Sequence, residues 1–306
     1  MSTLVVRLFG KLAVERDNAA VAGIEARKVQ ELLGYLLLHR TRPQARETLA
    51  GVLWPDYPTA AAKSYLRKAL WQLQTALDEA EGQPPVLLVD AEWIQLNPAA
   101  DLSLDVAVLE DALSLARGTA AAALQPGAVE RLEAAAACYT GDLLEGWYLD
   151  WCLYERERLQ LLALTLLDKL MDFCEAHQRY DAGIGYGAHI LRIDPASERT
   201  HRRLMRLYYW SGDRTAALRQ FERCASMLAR ELDTEPDETT RALYHDIRSN
   251  HSLSVSPASP HGPETASLSL LDILGRLKQF HALLSDTQRQ VLQDIQAVEQ
   301  IISRWR

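Results

Sequence analysis

The chain has 306 residues, 48% of them hydrophobic and 24% charged, with a formal net charge of −8, which is a soluble composition with room for two domains and a small third element. No apolar run reaches the roughly 18 residues of a membrane span, and Met1-Ser2-Thr3-Leu4 has no basic stretch before an apolar one, so the expected compartment is the cytoplasm. The acidic total argues against nucleic acid, but the distribution reverses that: residues 99–264 hold 17 Lys/Arg against 26 Asp/Glu, whereas residues 27–74 carry eight basic side chains against Glu31, Glu47 and Asp56, and such a local patch can bind phosphates because charges are screened beyond about 8 Å.

Leu4 to Val14 reads as two short strands around Gly10. Val29, Leu32, Leu33, Leu36 and Leu37 recur at helical spacing and predict a helix over Arg27 to Leu38, stopped by His39-Arg40-Thr41-Arg42-Pro43. A short helix follows from Arg46 to Leu53, ending before Trp54-Pro55. A third runs from about Ala60 to Ala80, with Leu66, Ala69, Leu70, Leu73 and Leu77 on its apolar face. After a turn at Gly82 to Pro85, Val86–Val89 and Glu92–Leu96 form a hairpin joined by Asp90-Ala91. Strands, three helices and a hairpin is the element order of a winged helix-turn-helix.

From Leu104 onward the pattern is helical, with helices expected over 104–117, 126–139, 150–177, 180–192, 196–210, 213–232 and 237–249. Tyr180-Asp181-Ala182-Gly183-Ile184 aligns with Arg214-Thr215-Ala216-Ala217-Leu218 at a separation of 34 residues, the tetratricopeptide period. Residues 250–264 are Ser- and Pro-rich and read as a linker. Leu270, Leu274, Leu277, His281 and Leu284 form one stripe with steps of four and three, and Val291, Ile295, Val298, Ile302 and Trp305 form another. The expected fold is therefore mainly α: a winged helix-turn-helix over 1–98, an all-α tetratricopeptide-like domain over 99–249, a linker over 250–264 and an amphipathic helical hairpin over 265–306. Because each stripe must be covered, Leu270, Leu274, Leu277, Val291, Ile295, Val298, Ile302 and Trp305 are expected to pack on a second protomer, with the chain's own helical domain as the alternative.

With Leu66, Leu70, Leu73 and Leu77 facing inward, the third helix presents Lys63, Ser64, Arg67, Lys68, Trp71 and Gln74. On a recognition helix, Arg67 is suited to guanine O6 and N7, while Lys63 and Lys68 are suited to phosphates. Arg40, Arg42 and Arg46 could hold a further phosphate at the start of the second helix. Trp54, Asp56 and Tyr57, in the proline-bounded loop between the second and third helices, are either a plug of the core or a protein contact. Catalytic signals are weak: no phosphate loop, no nucleophile elbow and no paired Cys/His spacing occurs. Gly183-Ile184-Gly185-Tyr186-Gly187 reads as small residues for close helix packing. His201, Arg202 and Arg203 read as a solvated helix face. Cys138, Cys152, Cys174 and Cys224 read as reduced core thiols. Neither a cofactor nor a metal is expected, and no enzyme activity.

The chain resembles the Streptomyces antibiotic regulatory protein (SARP) type of bacterial activators, which pair an OmpR-like winged helix with a bacterial transcriptional activator domain. The matching stretches are Leu8-Phe9-Gly10, Leu32-Leu33-Gly34-Tyr35-Leu36-Leu37-Leu38, Leu53-Trp54-Pro55-Asp56, Leu66-Arg67-Lys68-Ala69-Leu70-Trp71-Gln72-Leu73, Tyr139-Thr140-Gly141-Asp142-Leu143-Leu144-Glu145-Gly146, Trp151 with Glu155-Arg156-Glu157-Arg158-Leu159, and Gly212-Asp213-Arg214-Thr215-Ala216-Ala217-Leu218-Arg219-Gln220-Phe221. This resemblance implies promoter binding at direct repeats in double-stranded DNA, often as a head-to-tail homodimer, and contact with RNA polymerase, for which Trp54, Asp56 and Tyr57 are the candidates. The competing reading is a tetratricopeptide-like scaffold or signalling adaptor with secondary DNA binding.

Overall fold

Leucine spacing and proline punctuation set the helices, and a computed structural model describes residues 3–78 and 84–249. The first part runs β1 (Leu4–Arg7), β2 (Ala13–Arg16), β3 (Ala19–Ala20), α1 (Arg27–Leu38), β4 (Gln44–Ala45), α2 (Arg46–Leu53), α3 (Thr59–Leu77), β5 (Leu87–Val89), β6 (Trp93–Leu96) and β7 (Leu102–Leu104). The rest is helical: α4 (Asp105–Leu115), α5 (Pro126–Cys138), α6 (Asp150–Ala176), α7 (Tyr180–Ile193), α8 (Glu198–Trp210), α9 (Arg214–Leu232) and α10 (Glu238–Arg248). The two heptad stripes between Leu270 and Trp305 lie outside the described residues.

Two small sheets carry the strands, in the orders β3-β2-β1-β7 and β4-β6-β5. The second holds the hairpin expected from sequence, with a longer connection: Asp90, Ala91 and Glu92 all lie between β5 and β6. The Asp90 carboxylate closes that turn by accepting from the amides of Glu92 at 2.8 Å and Trp93 at 2.6 Å. Leu66, Leu70, Leu73 and Leu77 of α3 are buried with Leu32, Leu33 and Leu36 of α1 and Ile94 of β6. Each such side chain contributes about 1.5–3 kcal/mol when fully withdrawn from water.

The first part does not close on itself. β7 adds to β1 in parallel, pairing Leu4 with Leu102 and Val6 with Leu104. The buried Asp105 carboxylate, at the start of α4, accepts from the amides of Leu8 at 2.7 Å and Phe9 at 2.8 Å. The loop after α5 grips the same segment: Gly10 donates to the Asp142 carbonyl and Leu144 to the Leu8 carbonyl, each at 2.8 Å. The Arg156 guanidinium in turn donates to the carbonyls of Leu143, Leu144 and Trp147. One apolar core accordingly runs from Leu4 through α1 and α3 into α6 and α8.

Helices α6 to α9 pack on one another in chain order. Gly183 and Gly187 face α8 and α6, where a Cβ at Gly187 would lie 2.6 Å from Leu204 Cδ2, while Gly185 has nothing within 4 Å. The expected close packing thus holds at two of the three glycines. Asp213 caps α9 by accepting from the Ala216 amide, and Asp237 caps α10 from the Thr240 amide. Cys152, Cys174 and Cys224 are buried free thiols and Cys138 is half-buried.

The solvated face expected at His201, Arg202 and Arg203 is corrected by the structure. His201 and Arg203 are buried and Arg202 is half-buried. Arg203 is surrounded by carboxylates of α6: Nε donates to Glu175 at 2.7 Å, Nη2 to Asp172 at 2.6 Å, and Nη1 to Asp168. A cation can leave water when its donors are matched in this way.

Candidate nucleic-acid interface

Helix α3 is amphipathic in the sense the spacing required. Lys63, Ser64, Arg67, Lys68 and Trp71 are exposed while the intervening Leu66, Ala69, Leu70 and Leu73 are buried. Trp71 stands out at 67% exposure. Lys63 reaches back to α2, where its Nζ lies 2.8 Å from Glu47; both side chains are exposed, so the pair is weak and open to exchange for a phosphate. Arg67 and Lys68 have no ion pair among the described residues.

Arg46, Lys63 and Arg67 come together at an open cleft of about 510 Å³ between α2, α3 and the hairpin, whose other wall includes Glu47, Glu92 and Trp93. Arg46 also ties α2 to the hairpin, with Nη1 donating to the Asp90 carbonyl at 2.9 Å and its amide to the Glu92 carbonyl at 2.9 Å. Gln74 lies further along α3, half-buried, and lines a different groove.

Two expected site residues are placed elsewhere. Arg40 does not join Arg42 and Arg46 at a phosphate site; it pairs with Glu110 of α4, which also binds Arg158 of α6 at 2.7 Å. The helical part has taken this cation, while Arg42 remains exposed. Trp54 is a core plug, only 6% exposed, with Lys28 5.8 Å from its ring centroid. Asp56 and Tyr57 remain on the surface, Tyr57 at 50% and edge-on to Tyr65 with centroids 5.1 Å apart. The eight oligomerisation residues lie outside the described residues. Sequence reasoning did not single out the exposed Leu88 and Trp93 of the hairpin, although strict alternation with Ile94 and Leu96 places Trp93 and Gln95 on the opposite face.

Residues 104–248 match the bacterial transcriptional activator domain. The transcriptional regulatory protein MoaR1 of Mycobacterium bovis and that of Mycobacterium tuberculosis are each 28% identical to this chain, over 72% of it and 71% of their own length. The regulatory protein AfsR of Streptomyces coelicolor is 27% identical over 91% of this chain and 27% of its own length. These alignments extend the match beyond the helical domain. Over residues 104–248 the chain thus carries a bacterial transcriptional activator domain, and over most of its length it is similar to bacterial regulatory proteins. Mycobacterium tuberculosis EmbR, solved in complex with a low affinity phosphopeptide, shares this fold with a TM-score of 0.63 at 23% identity, covering 89% of this chain and 72% of that one. No helix among the described residues is long and apolar enough to cross a membrane.

Proposed function

We propose that this regulator is a sequence-specific activator that reads direct repeats in promoter DNA with α3 in the major groove. Residues 1–98 supply the DNA-reading part and residues 99–249 the helical activator domain, and the regulator works in the cytoplasm as a homodimer on paired sites. The observation that carries this reading is the α3 surface, where Lys63, Ser64, Arg67, Lys68 and Trp71 are exposed on one face and leucines fix the other in the core. A bidentate arginine such as Arg67 discriminates guanine, and the surrounding cations bind phosphate without regard to sequence. Asp56 and Tyr57 supply the polymerase contact, held in place by the buried Trp54. The stripes within 265–306 supply protomer contact.

The test is footprinting on the regulator's own promoter region combined with a salt titration of binding. Neutralising several phosphates makes log K fall steeply and linearly with log salt. A protected pair of direct repeats with a steep salt slope is the expected result. A shallow slope with no protected site would favour the scaffold reading.

A further inference from the structure

Helix α1 begins Arg27-Lys28-Val29-Gln30-Glu31, which sets one carboxylate four residues after the first cation and three after the second. Both spacings bring side chains together on a helix. Glu31 is buried, and its two oxygens are divided between the two cations: Arg27 Nε donates to Oε1 at 3.0 Å and Lys28 Nζ to Oε2 at 2.8 Å. A carboxylate withdrawn from water needs such partners, and each charge-assisted bond fixes the cation as well as the acid. Arg27 and Lys28 are neighbours with like charges, so the carboxylate between them is what holds both in place.

The two cations reach different parts of the chain. Arg27 stacks on the indole of the buried Trp147. Trp147 stands in the loop before α6; Arg156 of α6 donates to its carbonyl at 2.9 Å, and its ring meets that of Trp151 edge-on. Lys28 turns instead to α2, where its Nζ donates to the Leu53 carbonyl at 2.7 Å and lies beside the Trp54 ring. Leu53 is the last residue of α2, a place where unpaired carbonyls and the helix dipole favour a cation. Trp54 then packs near Tyr65 of α3, with centroids 6.4 Å apart, and Tyr65 meets the exposed Tyr57 edge-on. A continuous set of contacts thus runs from the start of α6 through Glu31 to the α2–α3 loop.

We propose that Glu31 is a positioning residue that couples the helical part of the chain to the α2–α3 loop. Through Arg27 it senses where Trp147 sits, and through Lys28 it sets how the end of α2 and Trp54 hold Asp56 and Tyr57. Loss of the Arg27–Trp147 stack frees Arg27, leaves one oxygen of Glu31 poorly matched and so alters the hold of Lys28 on Leu53. The loop then shifts while the exposed face of α3 keeps its place. The consequence for transcription rests on the reading of Asp56 and Tyr57 as the polymerase contact; the coupling itself does not. Coupling through one residue has a signature, since a change at one end loses its effect at the other once that residue is replaced.

The experiment uses the full chain labelled with 3-fluorotyrosine, with the Tyr57 signal assigned through Tyr57→Phe. Arg27→Met keeps an apolar stem against Trp147 and removes the charge, and Glu31→Gln removes charge at nearly constant shape. Arg27→Met is expected to shift the Tyr57 fluorine signal, and to shift it no further when Glu31→Gln is already present; a direct field of the Arg27 charge would persist in that background. In a reporter assay each single variant is expected to lower transcription about fivefold with operator affinity within about twofold of the parent, and the double variant to fall no lower than Glu31→Gln alone. Arg27→Lys, which keeps a cation over the indole, is expected to retain most of the activity. Should Glu31→Gln fail to fold, Lys28→Met takes its place in the cycle, because the Lys28 side chain is half-exposed. A Tyr57 signal that ignores Arg27→Met, or shifts that add in the double variant, would overturn the proposal. So would operator affinity that falls in parallel with transcription, or transcription that holds in Glu31→Gln while Asp56→Ala lowers it. Transcription unchanged in Asp56→Ala and Tyr57→Ala, with the Tyr57 signal still answering to Arg27 through Glu31, would sink the polymerase-contact reading and leave the coupling standing.

Discussion

The guanidinium of Arg27 lies over the indole of Trp147, 4.0 Å from the ring centroid. Arg27 opens α1 and Trp147 lies in the loop before α6, so this stack joins the two parts of the chain that β7 on β1 and Asp105 on the Leu8 and Phe9 amides also join. Cutting the chain at residue 98 would strip the β1 edge and uncover that seam. A fragment of residues 1–98 is expected to melt well below one of residues 1–249 in a calorimetric comparison. Arg27→Ala in the full chain removes this contact and also an ion pair to the buried Glu31 at 3.0 Å, and is expected to cost about 1.5–3 kcal/mol. Equal melting of the two fragments would show that the seam adds nothing to the first part.

On α3, Arg67→Ala is expected to lose roughly 1–3 kcal/mol of operator binding and to relax preference at one base position. Lys68→Ala is expected to weaken all sequences alike and to reduce the salt slope by about one unit. Binding-site selection with each variant separates the two effects. Identical selection profiles for both variants and the parent would remove α3 as the reading element.

Burial splits the loop between α2 and α3. Trp54→Ala empties a packed site and is expected to destabilise by about 3–5 kcal/mol. Tyr57→Ala and Asp56→Ala touch exposed groups, and each is expected to stay within about 0.5 kcal/mol of the parent in denaturant unfolding. These two variants should lower transcription from a reporter promoter while operator affinity is kept. Loss of affinity in parallel with transcription would reduce the loop to a support of the fold.

Sequence legibility divides along physical lines. The ends of α1 and α2 follow from apolar spacing and the breaks at His39–Pro43 and Trp54-Pro55, which are local signals. β7 is three residues, Leu102-Ser103-Leu104, and is a strand only because β1 lies beside it; no local propensity encodes that. Arg203 reads as solvated because arginine normally is, and its burial depends on Asp168, Asp172 and Glu175 sharing a face of a helix about thirty residues earlier. Arg40 is a similar case, since Glu110 lies on α4, 70 residues further along the chain. On the candidate site, the α3 face was readable from period alone, whereas the fates of Arg40 and Trp54 were decided by tertiary neighbours.

Two glycines of one helix should respond with opposite sign. Gly185 has open space around its Cβ position, so Gly185→Ala is expected to stabilise α7 by about 0.5–1 kcal/mol through helix propensity alone. At Gly187 the added methyl meets Leu204 Cδ2 at 2.6 Å, Leu204 Cγ at 2.9 Å and Met171 at 3.0 Å. Overpacking of that kind costs about 1–3 kcal/mol, which exceeds the propensity gain, so Gly187→Ala is expected to destabilise. Urea unfolding of the pair checks the sign of each.

Buried His201 links stability to pH. The Gln220 amide donates to Nδ1 at 2.7 Å, which leaves Nε2 to donate to the Pro195 carbonyl at 3.0 Å. Both nitrogens are matched only in the neutral ring, and burial pushes the pKa below its ordinary value. Below about pH 6.5 the unfolded chain binds a proton that the folded chain does not, so this contribution is present in full above that pH and is lost as pH falls. Melting temperature is expected to drop between pH 7.5 and 5.5, and to drop less in His201→Gln. Parallel curves for the two proteins would assign the pH response to other groups.

The parallel pairing of β1 with β7 also bears on how the chain comes off the ribosome. β1 is synthesised about a hundred residues ahead of Leu102–Leu104. At 5–20 residues per second, β1 waits roughly 5–20 s for that neighbour, and longer still for Asp142 and Leu144, which clasp Leu8 and Gly10. A nascent chain therefore carries α3 well before the frame that steadies β1 is complete. A stalled or truncated translation product would expose an unpaired, leucine- and valine-rich strand to the proteolytic machinery of the cell.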